Sequence, residues 1–238
     1  MTGGAGGLIY ISSWDLSGTT TYSITIGAGG VLEANGGNST VTNGIKTLTS
    51  IGGGHGLNGS TDHGSEGGSG GGGWYKNPGT GYASNQPVST NDGVHIYDTT
   101  GWGHRGGDGY QGSGYSGGGG GAHSPGLNGV QSKTGILTYD QQGAPLMSDR
   151  NNNLGGAGKY YADFNSYGDS GHFASGGTGG NNFAHSLFTP STRAHRGGGG
   201  FGNNAIFTHN PAADGKPNTG GGAGSGGYGG SGIVLVRY

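Results

Sequence analysis

The chain has 238 residues, 66 of them Gly, with 28% hydrophobic and 9% charged residues, no Cys and a net charge of -2. Ordinary domains carry roughly 7% Gly and about 25% charged residues, so a large apolar core is excluded and backbone hydrogen bonds must carry the fold. A balance so close to neutral gives no electrostatic case for nucleic acid. The absence of Cys fits synthesis in a reducing compartment without fixing where the mature protein works.

In chain order, the first elements read as β. Leu8-Ile9-Tyr10-Ile11 is a short apolar run. Tyr22, Ile24 and Ile26 alternate with Ser23 and Thr25, the pattern of a half-buried strand. Residues 45–51 form a third candidate, with Thr47 and Thr49 favouring strand. Between them, 27–30 and 35–38 read as tight turns or as the first glycine segments. The chain closes on Ile233-Val234-Leu235-Val236, long enough for one buried strand. Gly and β-branched residues punctuate every window, so no α-helix is expected. The start Met1-Thr2-Gly3-Gly4 lacks the basic and apolar regions of a signal peptide. The longest apolar run is far short of the roughly 20 residues that a membrane span needs.

From residue 52 onward, glycine blocks alternate with polar and aromatic insertions. The blocks are 52–54, 67–73, 101–121 (interrupted), 155–158, 176–180, 197–202 and 220–230; the insertions are 74–100, 122–153, 159–175, 181–196 and 203–219. This is an approximate repeat without a fixed period, which points to stacked similar units. A flexible linker would lack the interleaved Tyr, Trp, Phe and Asn, and disorder usually accompanies a higher net charge. Collagen needs Gly at every third position and abundant Pro; here there are 7 Pro, and runs such as 117–121 break the triplet.

The remaining option is polyglycine in the polyproline II conformation, a left-handed helix of three residues per turn with no internal hydrogen bonds. Its N–H and C=O groups point sideways and must find partners when buried. Neighbouring helices can supply them only where no Cβ keeps the backbones apart. Ordering Gly is entropically expensive, so such a lattice must be almost fully bonded. The expected fold is all-β/irregular, a bundle of packed polyglycine II helices with short strands in the N-terminal part and at the C-terminus, and essentially no α-helix. One domain covers 1–238: a β-rich cap at 1–51, glycine helices with inserted loops at 52–232, and a closing strand at 233–238. Gly52, Gly53, Gly54, Gly71, Gly72, Gly119, Gly198, Gly199, Gly221 and Gly222 are its expected scaffold positions.

Two terminal blocks carry a resemblance. Tyr22-Ser23-Ile24-Thr25-Ile26-Gly27-Ala28-Gly29-Gly30, Asn35-Gly36-Gly37-Asn38 and Ile51-Gly52-Gly53-Gly54 open the chain. Pro217-Asn218-Thr219-Gly220-Gly221-Gly222-Ala223-Gly224 and Gly230-Ser231-Gly232-Ile233-Val234-Leu235-Val236-Arg237-Tyr238 close it. In order and placement these resemble the glycine-rich phage tail-fibre and tail-tip adhesins of the polyglycine II sandwich type. The family usually has an apolar strand and a glycine block ahead of the segment matching residues 3–10, and here it is missing, which suggests a fragment or a short version that completes its sheet with a partner. The resemblance implies a virion protein, made in the host cytoplasm, whose loops on a rigid glycine scaffold bind a bacterial surface receptor, protein or polysaccharide. Other virion proteins are further expected partners, and a homo-oligomer such as a trimer is an option. No nucleic acid, membrane insertion, cofactor or metal is expected.

Motifs with chemistry are thin. Gly114-Tyr115-Ser116-Gly117-Gly118 formally matches a nucleophile elbow, which needs a strand before and a helix after. The many Gly-x-Gly-x-x-Gly strings open no helix. Gly176-Gly177-Thr178-Gly179-Gly180-Asn181 loosely resembles a calcium repeat, but Asn stands where calcium prefers a carboxylate. His55 with Asp62 and His63, and His104 with Asp108, have no zinc spacing. Asp62 with Glu66 and Asp163 with Asp169 are the nearest carboxylate couples for glycan cleavage, and both read as solvated. The insertions are the functional candidates, since rigid rings among Asn, Ser and Gly bind at low entropic cost. Trp74, Tyr75, Tyr82, Tyr97 and Trp102 lie in or just after the first; Tyr160, Tyr161, Phe164, Tyr167 and Phe173 in the third; Phe183, Phe188 and Phe207 in the later ones. The expectation is a non-enzymatic adhesin module, with a purely structural virion component (capsid decoration, head fibre or fibre joint) as the alternative.

Overall fold

The computed structural model describes residues 2–11, 20–45, 47–56, 64–75, 79–87, 103–110, 115–129, 153–180, 196–202 and 211–238. Alternating Ser/Thr and aliphatic residues build an antiparallel sheet of β1 (Ser23–Thr25), β2 (Ser39–Thr42) and β3 (Thr47–Ser50), in that order. Register aligns Ile24 with Val41 and Val41 with Leu48. Side chains alternate between faces along a strand, so one face carries this aliphatic row and the other carries only Ser and Thr. The β2–β3 turn closes at Gly44 (φ 85°), with the Ile45 N–H donating to Asn43 Oδ1 at 3.0 Å. β4 (Lys159–Tyr160) and β5 (His172–Phe173) make a second, two-stranded antiparallel sheet. Single 3-10 turns form at Ala162–Phe164 and Pro211–Ala213. Among the described residues there is no α-helix. The fold is all-β/irregular.

The glycine blocks account for most of the rest. Along 116–122, successive N–H groups donate to Gly180, Gly73, Leu127, Gly177, Gly70, Ser124 and Ala174, at 2.8–3.0 Å. The target changes with every residue and returns every third: one rod receives Ser116, Gly119 and Ala122, a second Gly117 and Gly120, a third Gly118 and Gly121. That is the signature of a helix with three residues per turn whose bonds all run outward. Its own carbonyls accept from three further segments, Gly118 from Gly107, Gly119 from Gly156 and Gly120 from Ala5. Six neighbours therefore surround residues 116–122, the arrangement of hexagonally packed rods.

Other rods repeat the rule in both directions. Gly3 and Gly6 donate to Ala223 and Gly220, antiparallel, while Ser175 and Thr178 donate to Gly197 and Gly200, parallel. Among the described residues, few large side chains are buried: Tyr75, Tyr115, Leu154, His172 and Phe173 are the main ones. The interior's apolar cluster is Ala5, Ala122 and Ala174 with Leu8 against it, and its largest fully buried side chains are Thr2, Thr219, Ser69 and Ser175.

Two expectations change, and the choice left open for residues 27–30 and 35–38 is decided. The lattice begins at the first glycines and not at residue 52: Gly3, Gly4 and Ala5 donate to Ala223, Gly54 and Gly120, because a segment without bulky side chains can enter between other rods. Residues 27–30 and 35–38 are rod segments, with Gly36 donating to Gly53, Gly37 to Ala28 and Gly229 to Gly30. Finally, neither 8–11 nor 233–238 belongs to a strand. The C-terminal run is tethered at Gly232, which donates to Gly27 at 3.0 Å, and beyond that point it forms no ladder with β1.

Candidate functional site

Residues 159–173 form an aromatic hairpin at the end of a glycine rod. β4 and β5 pair Tyr160 with His172, whose rings lie 4.7 Å apart and tilted by 38°. The tip turns through positive φ at Gly168 (62°), Ser170 (53°) and Gly171 (81°). Gly171 lies against the Tyr160 ring and the Asn165 backbone, so a Cβ there would displace the ring. Tyr161 stacks on Tyr10, centroids 4.6 Å apart. Arg237 pairs with Asp163 on the exposed side of the 3-10 turn. Tyr160 and Tyr167 remain 43% and 54% exposed.

One carboxylate ties the hairpin to the lattice. Asp169 accepts from the Gly197 N–H at 3.1 Å and from Lys216 Nζ at 3.0 Å. Burial by itself would raise its pKa, but the Lys216 and Gly197 hydrogen bonds and the Lys216 charge outweigh it, and the carboxyl is held below its usual value of 3.8.

The aromatic candidates divide by environment. Tyr160 is exposed, and Tyr161 and Phe164 are half-buried in the same hairpin. Trp74 and Tyr82 are half-buried elsewhere; Trp74 meets Tyr75 at 5.1 Å, and Tyr75 is buried. Tyr75 therefore packs over the lattice and offers no open ring. Tyr97, Trp102, Phe183, Phe188 and Phe207 lie outside the described residues. Sequence reasoning missed Tyr10, which looked like a strand residue; only its place in an apolar run beside glycines hinted at a docking role.

All ten scaffold glycines sit in close packing. A Cβ at Gly52, Gly53, Gly54, Gly71, Gly72, Gly119, Gly199, Gly221 or Gly222 would lie less than 3.0 Å from a backbone carbonyl oxygen, and one at Gly198 (φ 85°) would meet Thr219 Oγ1. The model of a glycine-rich domain matches residues 1–238. The chain belongs to this glycine-rich domain family. No curated protein and no solved structure matches it.

Elsewhere in this glycine-rich domain, His55 and Asp108 tie glycine segments together. His55 Nδ1 lies 2.9 Å from both Asn35 Oδ1 and Ser65 Oγ. The trio joins three glycine segments, through Asn35, His55 and Ser65. Asp62 and His63 lie outside the described residues. Asp108 accepts from the Gly81 N–H at 2.8 Å and pairs with Arg105, not with His104. His104 has its pKa lowered from 6.5, first by burial and then by the His123 and Lys159 charges, and its Nε2 is buried without a partner. Asp163 and Asp169 are engaged separately, by Arg237 and Lys216. Among the described residues no three His, Cys, Asp or Glu side chains gather to hold a metal ion.

The other large feature of the glycine-rich domain is a groove of about 750 Å³ between the aliphatic face of the β1–β3 sheet, residues 8–11 and the C-terminal run.

Proposed function

We propose that this glycine-rich domain is a phage virion protein, a tail-fibre or tail-tip adhesin module that holds rigid aromatic loops against a host bacterial surface receptor. The observation that carries the reading is the hairpin 159–173. It is fastened to the glycine lattice through Asp169 and to residues 8–11 and the C-terminal run through Tyr161 and Asp163, yet leaves the Tyr160 and Tyr167 rings exposed. Rings held in place by a scaffold lose little freedom on binding. The resemblance of residues 22–54 and 217–238 to glycine-rich phage tail-fibre proteins supports the virion placement. The hairpin's two carboxylates, Asp163 and Asp169, are paired with Arg237 and Lys216.

The test is a binding assay of the fluorescently labelled chain on a panel of bacterial cells. Adhesion to a subset of strains, lost in a Tyr160→Ala/Tyr167→Ala double variant that unfolds at the same temperature, supports the module. Uniform absence of binding on strains that the parent particle infects rejects it. The groove favours a second reading, a structural component of the virion whose surfaces join neighbouring proteins. Labelling the chain inside intact particles separates the two, because a distal tip position fits adhesion and a shaft or capsid position fits architecture.

A further inference from the structure

We infer that Asn43, in the β2–β3 turn, is a site of spontaneous covalent modification, converting to aspartate and isoaspartate through a cyclic imide while the Asn–Gly pairs held in the glycine lattice stay intact. This property is separate from receptor binding and lies on different elements from the exposed rings of the hairpin. Asn–Gly pairs occur at 35–36, 43–44, 58–59 and 128–129; the pair 58–59 lies outside the described residues. The chemistry open to each is the same. The Gly main-chain nitrogen attacks the Asn Cγ, a C–N bond forms, the Cγ–Nδ2 bond breaks, and ammonia leaves with the proton that the Gly nitrogen gives up. Water then opens the ring at one of its two carbonyls. The product is aspartate, or isoaspartate with the former side-chain methylene now in the main chain. Glycine suits the step because it has no Cβ to hinder the turn of the backbone.

The fold decides which pair can close the ring. The Gly36 N–H donates to the Gly53 carbonyl at 3.0 Å, and the Gly129 N–H to the Asp108 carbonyl at 2.7 Å. Their Asn side chains are held as well. Asn35 Oδ1 accepts from the His55 N–H at 2.9 Å, Asn35 Nδ2 donates to the Glu66 carbonyl at 3.2 Å, and Asn128 Oδ1 accepts from the Asp108 N–H at 2.8 Å. Ring closure at either pair must break bonds between glycine segments, so it waits for the lattice to open. Asn43 stands instead at the end of a hairpin. The Gly44 N–H donates within the turn, to Thr42 Oγ1 at 3.1 Å, and the Ile45 N–H donates to Asn43 Oδ1 at 3.0 Å, polarising the carbonyl that is attacked. Both bonds are exposed, and nothing lies within 4 Å of the Gly44 Cβ position. Water replaces such bonds at little cost. Conversion adds one negative charge to a chain of net charge -2, and the isoaspartyl form lengthens the turn that joins Thr42 to Thr47.

The test incubates the full chain in mildly alkaline buffer, both folded and in concentrated urea. Residues 35, 43 and 128 are followed by proteolysis and mass spectrometry, with synthetic aspartyl and isoaspartyl peptides marking the two products. Expected in the folded chain is conversion at Asn43 at least about tenfold faster than at Asn35 or Asn128, the ratio of local to lattice opening. In urea the three rates should converge. Conversion of Asn35 or Asn128 as fast as Asn43 in the folded chain overturns the proposal. So does a preference for Asn43 that persists undiminished in urea, which would belong to the flanking residues and not to the fold. Asn43→Gln, whose longer side chain disfavours the ring, should leave position 43 unconverted; conversion there at the original rate would mean direct hydrolysis without an imide and overturns the proposal too.

Discussion

A methyl group on Gly119 would come within 3.0 Å of the Gly3 carbonyl oxygen, backbone against backbone, with no flexible side chain to yield. Gly6 differs: the nearest atoms to its Cβ position are 3.7 Å away, which is ordinary contact. Gly119→Ala is therefore expected to lower stability by about 1–3 kcal/mol through overpacking. Gly6→Ala should raise it by about 0.4–1 kcal/mol, because it restricts the unfolded chain without strain. Urea unfolding of the two variants reads the contrast, and equal effects would sink the packing argument. Titration gives a second residue-scale expectation. Asp169 has a lowered folded pKa, so its contribution is fully present above 3.8 and fades as pH falls through the lowered value. His104 has a lowered folded pKa too, but as a base: below 6.5 the unfolded chain takes up a proton that the folded chain refuses. Stability should thus decline in two stages on acidification. His104→Leu should shallow the slope just below pH 6.5, and Asp169→Asn should shallow the one below pH 3.8, both followed as melting temperature against pH.

The hairpin 159–173 is the element on which the proposed adhesion rests, and its turn is vulnerable at Gly168. There φ is 62°, and a Cβ would press into the Phe173 ring. Gly168→Ala should unseat the tip at a cost of order 1–3 kcal/mol while leaving the rods bonded. Amide exchange should then quicken across 161–173 and stay unchanged at 117–122; a loss of protection in both would show that hairpin and lattice are one unit. At this scale the sequence was only partly legible. Alternation of Ser/Thr with aliphatics marked β1 and β3, since a two-residue period survives in any short window. Apolar runs such as 8–11 and 233–236 carry no period, so nothing in them distinguished a paired strand from the wall of a groove. The insertion 159–175 was legible as aromatic and polar, yet its seat on Tyr10 and Lys216 joins residues far apart in the chain, and no local pattern announces that.

Over the whole molecule, lateral packing of bare backbone was legible because only Gly admits it, whereas the choice of neighbours was not. Every glycine block offers the same unadorned surface, so register must come from the few Ala, Ser, Thr and Asn side chains, such as Ser175, whose Oγ accepts from Gly199, and Asn153, which donates to Gly179. The resulting bonds span nearly the entire chain, as from Gly177 to Gly3 and from Gly3 to Ala223. Contacts so distant in sequence make folding slow, but they also make opening cooperative. A rod held by six neighbours cannot release one N–H without disturbing rods that are themselves bonded elsewhere. The amides of Gly117, Gly118, Gly119 and Gly120 should therefore exchange only through global unfolding, although they belong to glycine, the residue with the most freedom to lose. Exposed β1 amides should exchange by local opening, orders of magnitude sooner. Hydrogen exchange with increasing urea distinguishes the cases. If the central glycine amides exchange as fast as those of β1, with no dependence on denaturant, the rods are not a cooperative lattice, and a platform stiff enough to present loops is lost with them.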